Sequence, residues 1–242
     1  SRLSRGIVHL RVRVLATFPI PEALKRFDPK RTLRTTFGTM QVVEAVVFDV
    51  GGVLLDWDPE YLYRRLIPDA AERRRFLTEV CTPEWNQMQD AGRSWAEAVE
   101  DLVARFPDHA ELIAAFHTRW EETVAGPIEP TVDILRELRS SGIPVYALTN
   151  FSAEKWEIAK QRWSFLGDFD GEVVSGKERV VKPNPRIYEI LIERYALDPR
   201  HTLYTDDLSE NIEQARRLGF QVELFTSPEG LRKRLEDSRL IQ

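Results

Sequence analysis

The feature that most constrains the fold is a regular alternation of strand-like and helix-like segments after residue 44. Five short apolar runs predict strands at residues 45–49, 144–149, 171–175, 202–206 and 221–226. Between them, apolar residues recur at helical spacing, and Gly142 and Gly219 come just after predicted helix ends. This alternation predicts a doubly wound α/β fold, with helices on both faces of a mostly parallel sheet.

The segment between residues 57 and 128 interrupts this alternation. It has no predicted strand, and it holds four of the six tryptophans. Helix starts are indicated at Asp58 and Thr82, each followed by proline, and at Ser94, which forms a capping box with Glu97. A helical apolar stripe follows, made of Trp95, Ala98, Val99, Leu102, Val103 and Phe106. We therefore expect an all-helical insertion whose tryptophans lie mostly in a core.

Polar residues occur where the predicted strands end. The first strand ends at an aspartate, the second at a threonine and an asparagine, and the fourth at two aspartates, while a lysine follows the third. These residues are Asp49, Thr149, Asn150, Asp206, Asp207 and Lys182. In open α/β sheets, ligands bind beyond the carboxyl ends of the strands. We therefore expect these side chains to meet at one edge of the sheet.

This set of groups is suited to phosphoryl chemistry. Crowded carboxylates repel one another unless a cation joins them, and oxygen ligands favour a hard ion such as Mg²⁺. Lysine, hydroxyl and amide groups around that ion would surround a phosphoryl group. A carboxylate directed at the phosphorus can form an aspartyl phosphate, which water then hydrolyses. The glycines after Asp49 allow a sharp turn and a close approach to the ligand.

Four short motifs therefore occur in order, each at or after a strand end. They are Asp49 with its following glycines, Thr149-Asn150, Lys182-Pro183 and Asp206-Asp207. In order and spacing they resemble the motifs of the haloacid dehalogenase superfamily, and the resemblance covers residues 44–226. It implies a Rossmann-like core formed by residues 40–56 and 129–242, with residues 57–128 as a helical cap of the C1 type.

The resemblance also implies roles for the motif residues. Asp49 resembles the catalytic nucleophile. Thr149 and the Asn150 amide resemble the phosphate-binding second motif. Lys182 resembles the catalytic residue that neutralises the nucleophile and the phosphate.

The metal implied by the resemblance is Mg²⁺. Its ligands would be Asp49, the backbone carbonyl of Gly51, and the acidic pair Asp206 and Asp207, with Asp207 as the direct acidic ligand. Asn211, four residues further on, is expected to hold a metal-bound water.

Position 51 departs from the usual pattern of the superfamily. Most of its phosphatases have a second aspartate there, which protonates the leaving oxygen and then activates water, whereas Gly51 can do neither. The glycine form is similar to that of glucose-1-phosphate phosphatase, so activity is not excluded. It favours a leaving group that needs little protonation, such as an anomeric or acyl phosphate, or an acid from elsewhere.

Several other residues are candidates for the site. Asp56 and Asp58 could replace the missing acid, but we expect Asp58 to cap a helix and Asp56 to hydrogen-bond within the hairpin after the first motif. Asp90, near a glycine turn, is expected to be solvated. Of the tryptophans, Trp57 and Trp85 are the candidates for the mouth of the site, although core positions are favoured for both.

Charge and composition narrow the class of protein. Residues 1–39 hold nine Lys or Arg and two Asp or Glu, whereas the rest of the chain holds 25 and 37. An acidic body argues against nucleic acid as a partner. Because Met40 directly precedes the first strand, the basic extension, residues 1–39, is expected to lie outside the fold. No apolar run approaches a membrane span, and the single Cys81 leaves the cytoplasm as the expected location.

We therefore expect a Mg²⁺-dependent phosphatase that hydrolyses a small organic phosphate monoester, such as a sugar 1-phosphate. Two alternatives remain open from the sequence. The first is a 2-haloacid dehalogenase, although those enzymes lack the acidic pair found at Asp206-Asp207. The second is a catalytically weak scaffold that binds a phosphometabolite, for which Gly51 is the one favourable feature.

Overall fold

The structure, a computed structural model, describes residues 42–242. The predicted basic extension, residues 1–39, lies outside the described residues, as do the first two residues of the predicted core. Among the residues described, no helix combines the length and the apolar character needed to cross a bilayer.

A five-stranded parallel sheet forms the centre of the core. Its strands are β1 (Ala45–Phe48), β4 (Val145–Thr149), β5 (Gly171–Val174), β6 (Thr202–Asp206) and β7 (Gln221–Leu224). Their order across the sheet is β5-β4-β1-β6-β7, and every neighbouring pair is parallel. The five predicted strands are therefore confirmed, and the strand that carries the first motif lies in the middle of the sheet.

Helices cover both faces of this sheet, as the alternation predicts. Side chains of β1 alternate between the two faces, with Val46 and Phe48 in one core cluster and Val47 in the other. The first cluster receives α6 (Glu129–Ser140), α7 (Ala153–Arg162) and α11 (Pro228–Asp237), and the second receives α9 (Pro185–Tyr195) and α10 (Ser209–Arg217). A single helical turn, α8 (Ser175–Glu178), follows β5. The doubly wound α/β fold is confirmed.

The inserted segment, residues 57–128, is built mainly from five helices. They are α1 (Glu60–Leu66), α2 (Ala70–Arg75), α3 (Pro83–Asp90), α4 (Trp95–Arg105) and α5 (Ala110–Thr118). A π-helical turn, Phe76–Val80, follows α2. The predicted caps form at Thr82, whose Oγ1 accepts the Trp85 N–H at 3.1 Å, and at Ser94, whose Oγ accepts the Glu97 N–H at 3.3 Å. Asp58 Oδ1 accepts the Glu60 N–H at 2.8 Å, but Pro59 holds the cap position of α1.

The expectation that this insertion is wholly helical is wrong at its base. β2 (Leu55–Trp57) and β3 (Val124–Pro127) pair as an antiparallel ribbon where the insertion leaves and rejoins the core. The sequence of β3 is Val-Ala-Gly-Pro, which resembles a loop, so only its pairing with a distant segment makes it a strand. The expected hydrogen bond of Asp56 also differs, because its carboxylate accepts the Tyr61 hydroxyl of α1 at 2.9 Å.

Candidate active site

Two neighbouring parallel strands bring Asp49 and Asp206 together. Asp49 comes directly after β1, and its N–H donates to the Thr205 carbonyl of β6 at 2.9 Å. Asp206 is the last residue of β6. The Lys182 ammonium lies between the two carboxylates, 2.8 Å from Asp49 Oδ2 and 2.7 Å from Asp206 Oδ2. The structure thus joins three of the predicted site residues through one buried cation.

These three charges set one another's protonation. Burial lowers the pKa of Lys182, but the carboxylates of Asp49 and Asp206 more than offset this effect, so the ammonium form is favoured. Burial also raises the pKa of Asp49 to about 7, against the effect of Lys182 and with a further contribution from Asp206. The pKa of Asp206 is lowered, since Lys182 and its hydrogen-bond donors outweigh the cost of burial. Asp206 is therefore the carboxylate that Lys182 neutralises most firmly.

Asp206 is held by donors around its carboxylate. The Leu208 N–H donates to Oδ1 at 2.8 Å, the Asn211 amide donates to both oxygens at 2.9 and 3.1 Å, and the Tyr204 hydroxyl donates to Oδ2. Asn211, expected to hold a metal-bound water, thus binds Asp206 directly. Among the described residues, its Oδ1 is buried with no hydrogen-bond partner.

Asp207 completes a cluster of three carboxylates. One oxygen of each of Asp49, Asp206 and Asp207 lies within 4.8 Å of the others. Gly52 adopts a positive φ of +73°, and a Cβ there would lie 2.3 Å from Asp207 Oδ2, so glycine is required for this approach. Three carboxylates around one ammonium leave excess negative charge. Oxygen donors in this number fit a hard divalent cation, and these residues could hold one.

The second motif fixes the loop that carries Lys182. Asn150 Oδ1 accepts the Lys182 N–H at 2.7 Å, and Asn150 Nδ2 donates to the Lys182 carbonyl at 3.1 Å. Both ends of this amide are therefore engaged with the backbone of Lys182. Thr149, the last residue of β4, is buried beside it. The predicted role of Thr149 and Asn150 in binding phosphate stays a prediction.

A cleft lies between the core and the inserted segment. The core contributes Gly51, Leu55, Asn150, Phe151, Ser152 and Lys155, and the insertion contributes Trp57, Asn86, Asp90, Trp95, Trp120 and Val124. Trp57 lies at this surface and not in the core position favoured for it, whereas Trp85 is buried as expected, against Trp95 and Phe116. Asp90, expected to be solvated, instead lies partly buried in the cleft.

Lys155 is a cleft residue that sequence reasoning missed. It is 3% exposed, and its Nζ lies 2.9 Å from His117 Nδ1, 2.8 Å from the His117 carbonyl oxygen and 5.2 Å from the centre of the Trp95 ring. Burial lowers its pKa. A lysine in the first turns of a helix with a polar sequence usually indicates a solvated surface, so the sequence carried no signal for this position.

Gly51 differs from Gly52 in the space around it. A Cβ built at Gly51 would meet no atom within 4 Å, and its φ is not in the left-handed region. A side chain at position 51 is therefore sterically possible. The missing acid is a feature of the sequence and not a consequence of crowding.

The geometry agrees with a comparison against protein families. A family model described as haloacid dehalogenase-like hydrolase matches residues 43–219. The chain belongs to this family. It is therefore a hydrolase, and the resemblance inferred from the four motifs is confirmed.

Relatives with assigned activities include phosphatases. The sesquiterpene phosphatase astK of Aspergillus oryzae is 25% identical over 177 residues, which cover 73% of this chain and 86% of that protein. A phosphorylated carbohydrates phosphatase of Thermotoga maritima is 25% identical over 187 residues, covering 74% and 83%. Other relatives are longer proteins, of which this chain spans between 20% and 36%. These matches support a phosphatase-like member of the family.

Solved structures share the fold. An enzyme of the haloacid dehalogenase family from Bacteroides thetaiotaomicron, in complex with magnesium and inorganic phosphate, superposes with a TM-score of 0.59 at 22% identity. The match covers 75% of this chain and 93% of that one. At this identity the likeness establishes the Rossmann-like core of the family.

Proposed function

We propose that the chain is a Mg²⁺-dependent phosphatase that hydrolyses small organic phosphate monoesters through an aspartyl phosphate on Asp49. One observation carries the proposal. The buried Lys182 ammonium joins Asp49 to Asp206 beside a third carboxylate, Asp207, at the carboxyl ends of the central strands. A nucleophile, a fixed positive charge and an oxygen-rich cation site are the parts that phosphoryl transfer needs.

Each site residue has its own role in the proposed reaction. Asp49 Oδ attacks phosphorus, and the bond between phosphorus and the leaving oxygen breaks. Lys182 offsets charge on Asp49 and on the phosphoryl oxygens, while Asn150 fixes the backbone of Lys182. Thr149 supplies a hydroxyl to the phosphate. Water then hydrolyses the acyl phosphate and restores the Asp49 carboxylate.

Mg²⁺ would be held by Asp49, the backbone carbonyl of Gly51 and the acidic pair Asp206 and Asp207. When bound, the ion supplies Lewis-acid stabilisation of the phosphoryl oxygens. Asp207 is the more available of the pair, because Asp206 already binds Lys182, Tyr204, Leu208 and Asn211. The excess negative charge of the cluster supports a divalent ion at this place.

The acidic pair supports a phosphatase ahead of a dehalogenase. Displacement of halide from carbon needs no metal, so a dehalogenase has no use for three carboxylates grouped around one lysine. A scaffold that only binds a metabolite has little need of a nucleophile paired with a buried lysine. Gly51 remains the one feature that favours such a scaffold.

The inserted segment, residues 57–128, is proposed to act as the cap that closes over the substrate and excludes water. The cleft wall that it offers is largely aromatic, with Trp57, Trp95 and Trp120. An apolar group on the substrate would suit this wall. We therefore place phosphates of apolar alcohols, in line with the sesquiterpene phosphatase relative, ahead of the sugar 1-phosphates that the glycine at position 51 suggests.

The test is phosphate release from a panel of sugar, acyl, nucleotide and prenyl phosphates, with Mg²⁺ and with EDTA. We expect Mg²⁺-dependent turnover by the wild type and its loss in Asp49→Asn. The best substrate decides between phosphates of apolar alcohols and sugar 1-phosphates. Absence of turnover across the panel would overturn the proposal, and halide release from 2-haloacids would then be measured.

A further inference from the structure

An alkyl phosphate needs a proton at its leaving oxygen, and position 51 cannot supply one. The cleft beside Gly51 contains another carboxyl group. Among the described residues that line this cleft, Asp90 of the inserted segment alone carries one. It shares the cleft with Gly51 of the first motif and Asn150 of the second.

Asp90 is held in place from both sides of the cleft. Asn86, one turn earlier in α3, donates from Nδ2 to Asp90 Oδ2 at 3.2 Å. From the core, the backbone N–H of Ser152 lies close enough to the same carboxyl group to lower its pKa. Ser152 follows the Thr149-Asn150 motif by two residues, so this contact ties Asp90 to the loop proposed to bind phosphate.

The turn after Asp90 is docked on the core by further contacts. The Trp95 indole N–H donates to Ser152 Oγ at 2.9 Å, and the Trp95 backbone N–H donates to Glu154 at 3.0 Å. Gly92 has a φ of +98°, and a Cβ there would lie 3.1 Å from the Gly176 carbonyl. The loop therefore lies directly against the core, and Asp90 is fixed at the edge of the site.

The position of Asp90 is costly for an ionised side chain. It is the last residue of α3, where the helix dipole disfavours negative charge. Burial raises its pKa to about 7, against the effect of the Ser152 N–H. A carboxyl group that keeps its proton near neutral pH is the kind that acts as a general acid.

Most charged groups on the surrounding elements have polar partners other than Asp90. Lys155 of α7 contacts His117 of α5, and Glu154 accepts from Trp95. Arg93, in the turn itself, donates to Gln89 at 2.8 Å and lies 3.9 Å from Asp101 of α4. Arg179, after α8, packs beside Gly92.

From this geometry we propose that Asp90 is the catalytic acid and base of the site and takes the role that a side chain at position 51 would have had. The inference rests on the proposed phosphatase function. In the first step, an Asp49 oxygen bonds to phosphorus, the bond to the leaving oxygen breaks, and the Asp90 proton passes to that oxygen. In the second step, water bonds to phosphorus, the bond to Asp49 breaks, and Asp90 takes one proton from the water.

The experiment compares esters whose leaving groups differ in their need for a proton. Hydrolysis of hexyl, phenyl and p-nitrophenyl phosphate is measured with Mg²⁺ for the wild type, Asp90→Asn and Asp108→Asn. Asp108 is an exposed carboxylate of the same insertion and is the matched control. We expect Asp90→Asn to lower kcat/KM about 10²–10⁴-fold on hexyl phosphate. On p-nitrophenyl phosphate the same substitution should cause a loss of kcat/KM that is smaller by a factor of about 10 or more. The ratio between esters does not depend on the fraction of folded enzyme.

Two further readouts separate a catalytic role from a structural one. The wild-type rate on hexyl phosphate should fall above about pH 7 as Asp90 loses its proton, and this limb should vanish in Asp90→Asn. Adding Gly51→Asp to Asp90→Asn should restore part of the alkyl activity, because position 51 has room for a side chain.

Equal losses on all three esters, or losses no larger than those of Asp108→Asn, would overturn the role of Asp90. That outcome leaves the phosphatase intact if Asp49→Asn still abolishes turnover. The phosphatase proposal itself would be contradicted by a different result, the absence of turnover by the wild type on every ester.

Discussion

The two walls of the cleft are built on opposite principles. The core wall adjoins a network of buried charges in which Lys182 joins Asp49 and Asp206, and Asn150 of this wall accepts the Lys182 N–H. The wall of the inserted segment is an aromatic surface with one carboxyl group, Asp90. The first arrangement fixes charge for a reaction at phosphorus, and the second offers apolar contact and one proton. The difference indicates that the chemistry lies on the sheet, while the choice of substrate lies on the insertion.

The two walls also differ in what stabilises them. Each buried charge of the core wall depends on another, so removing one leaves the others without a partner. The insertion depends on packing, where Trp95 lies between Trp85, Phe116 and His117 at ring-centre distances of 5.5 to 5.7 Å. Substitutions in the two walls should therefore change stability and activity in different ways, and four predictions test this.

The largest effect is expected for Lys182→Met, which removes the cation of the core wall. Asp49 and Asp206 would remain buried without their counter-charge, at a cost of about 3–5 kcal/mol in the free energy of unfolding. The kcat for phosphate release should fall by about 10²–10³-fold or more. Urea unfolding in EDTA measures the first quantity, with exposed Lys233→Met as the control. A loss of stability equal to that of the control would contradict the network.

Gly52→Ala tests the close approach of Asp207. Position 52 has a φ of +73°, and the Cβ of the new alanine would lie 2.3 Å from Asp207 Oδ2. The substitution should therefore lower the free energy of unfolding by about 1–3 kcal/mol. Displacement of Asp207 should also weaken the rise in Tm that Mg²⁺ produces. Gly51→Ala, next to it in open space, is the matched control for stability. The idea fails if both variants lose the same stability.

Asp90→Asn should change how stability depends on pH. The folded state holds the Asp90 proton up to about pH 7, whereas the unfolded chain releases it near the ordinary value of 3.8, so the wild type loses stability as pH rises between these values. The variant lacks this penalty. Relative to the wild type, it should gain about 2 kcal/mol in unfolding free energy between pH 5 and pH 8. Urea unfolding at both pH values measures this, and a difference that does not vary with pH would show that Asp90 is solvated.

The smallest effect is expected for Trp57→Ala, on the aromatic wall. Trp57 is 36% exposed, so its removal should cost less than about 1 kcal/mol of stability. KM for a prenyl phosphate should rise about 10-fold while kcat changes less. The reason is that contact with the apolar group stabilises the bound substrate and the transition state equally. Met88→Ala, exposed on the same insertion but away from the cleft, is the control. A fall in kcat alone would assign Trp57 to the chemistry instead.

Much of the core site could be predicted because it follows from strand topology. Asp49, Thr149 and Asp206 stand at the carboxyl ends of parallel strands, so the edge of the sheet brings them together whatever the remaining packing. The cleft could not be predicted in this way. Asp90 and Lys155 have the sequence context of solvated residues, and only docking of the insertion on the core buries Lys155 and partly buries Asp90.

The sequence by itself determined the α/β alternation, the strand ends and the helix caps, because each depends on neighbours a few residues away. Tertiary structure decided the strand at Val124–Pro127, the contact of Asn150 with Lys182 and the burial of Asp90. Each of these joins segments more than 30 residues apart. Local propensity carries no information about such pairs, and their energies come from hydrogen bonds and desolvation that exist only once the chain has folded.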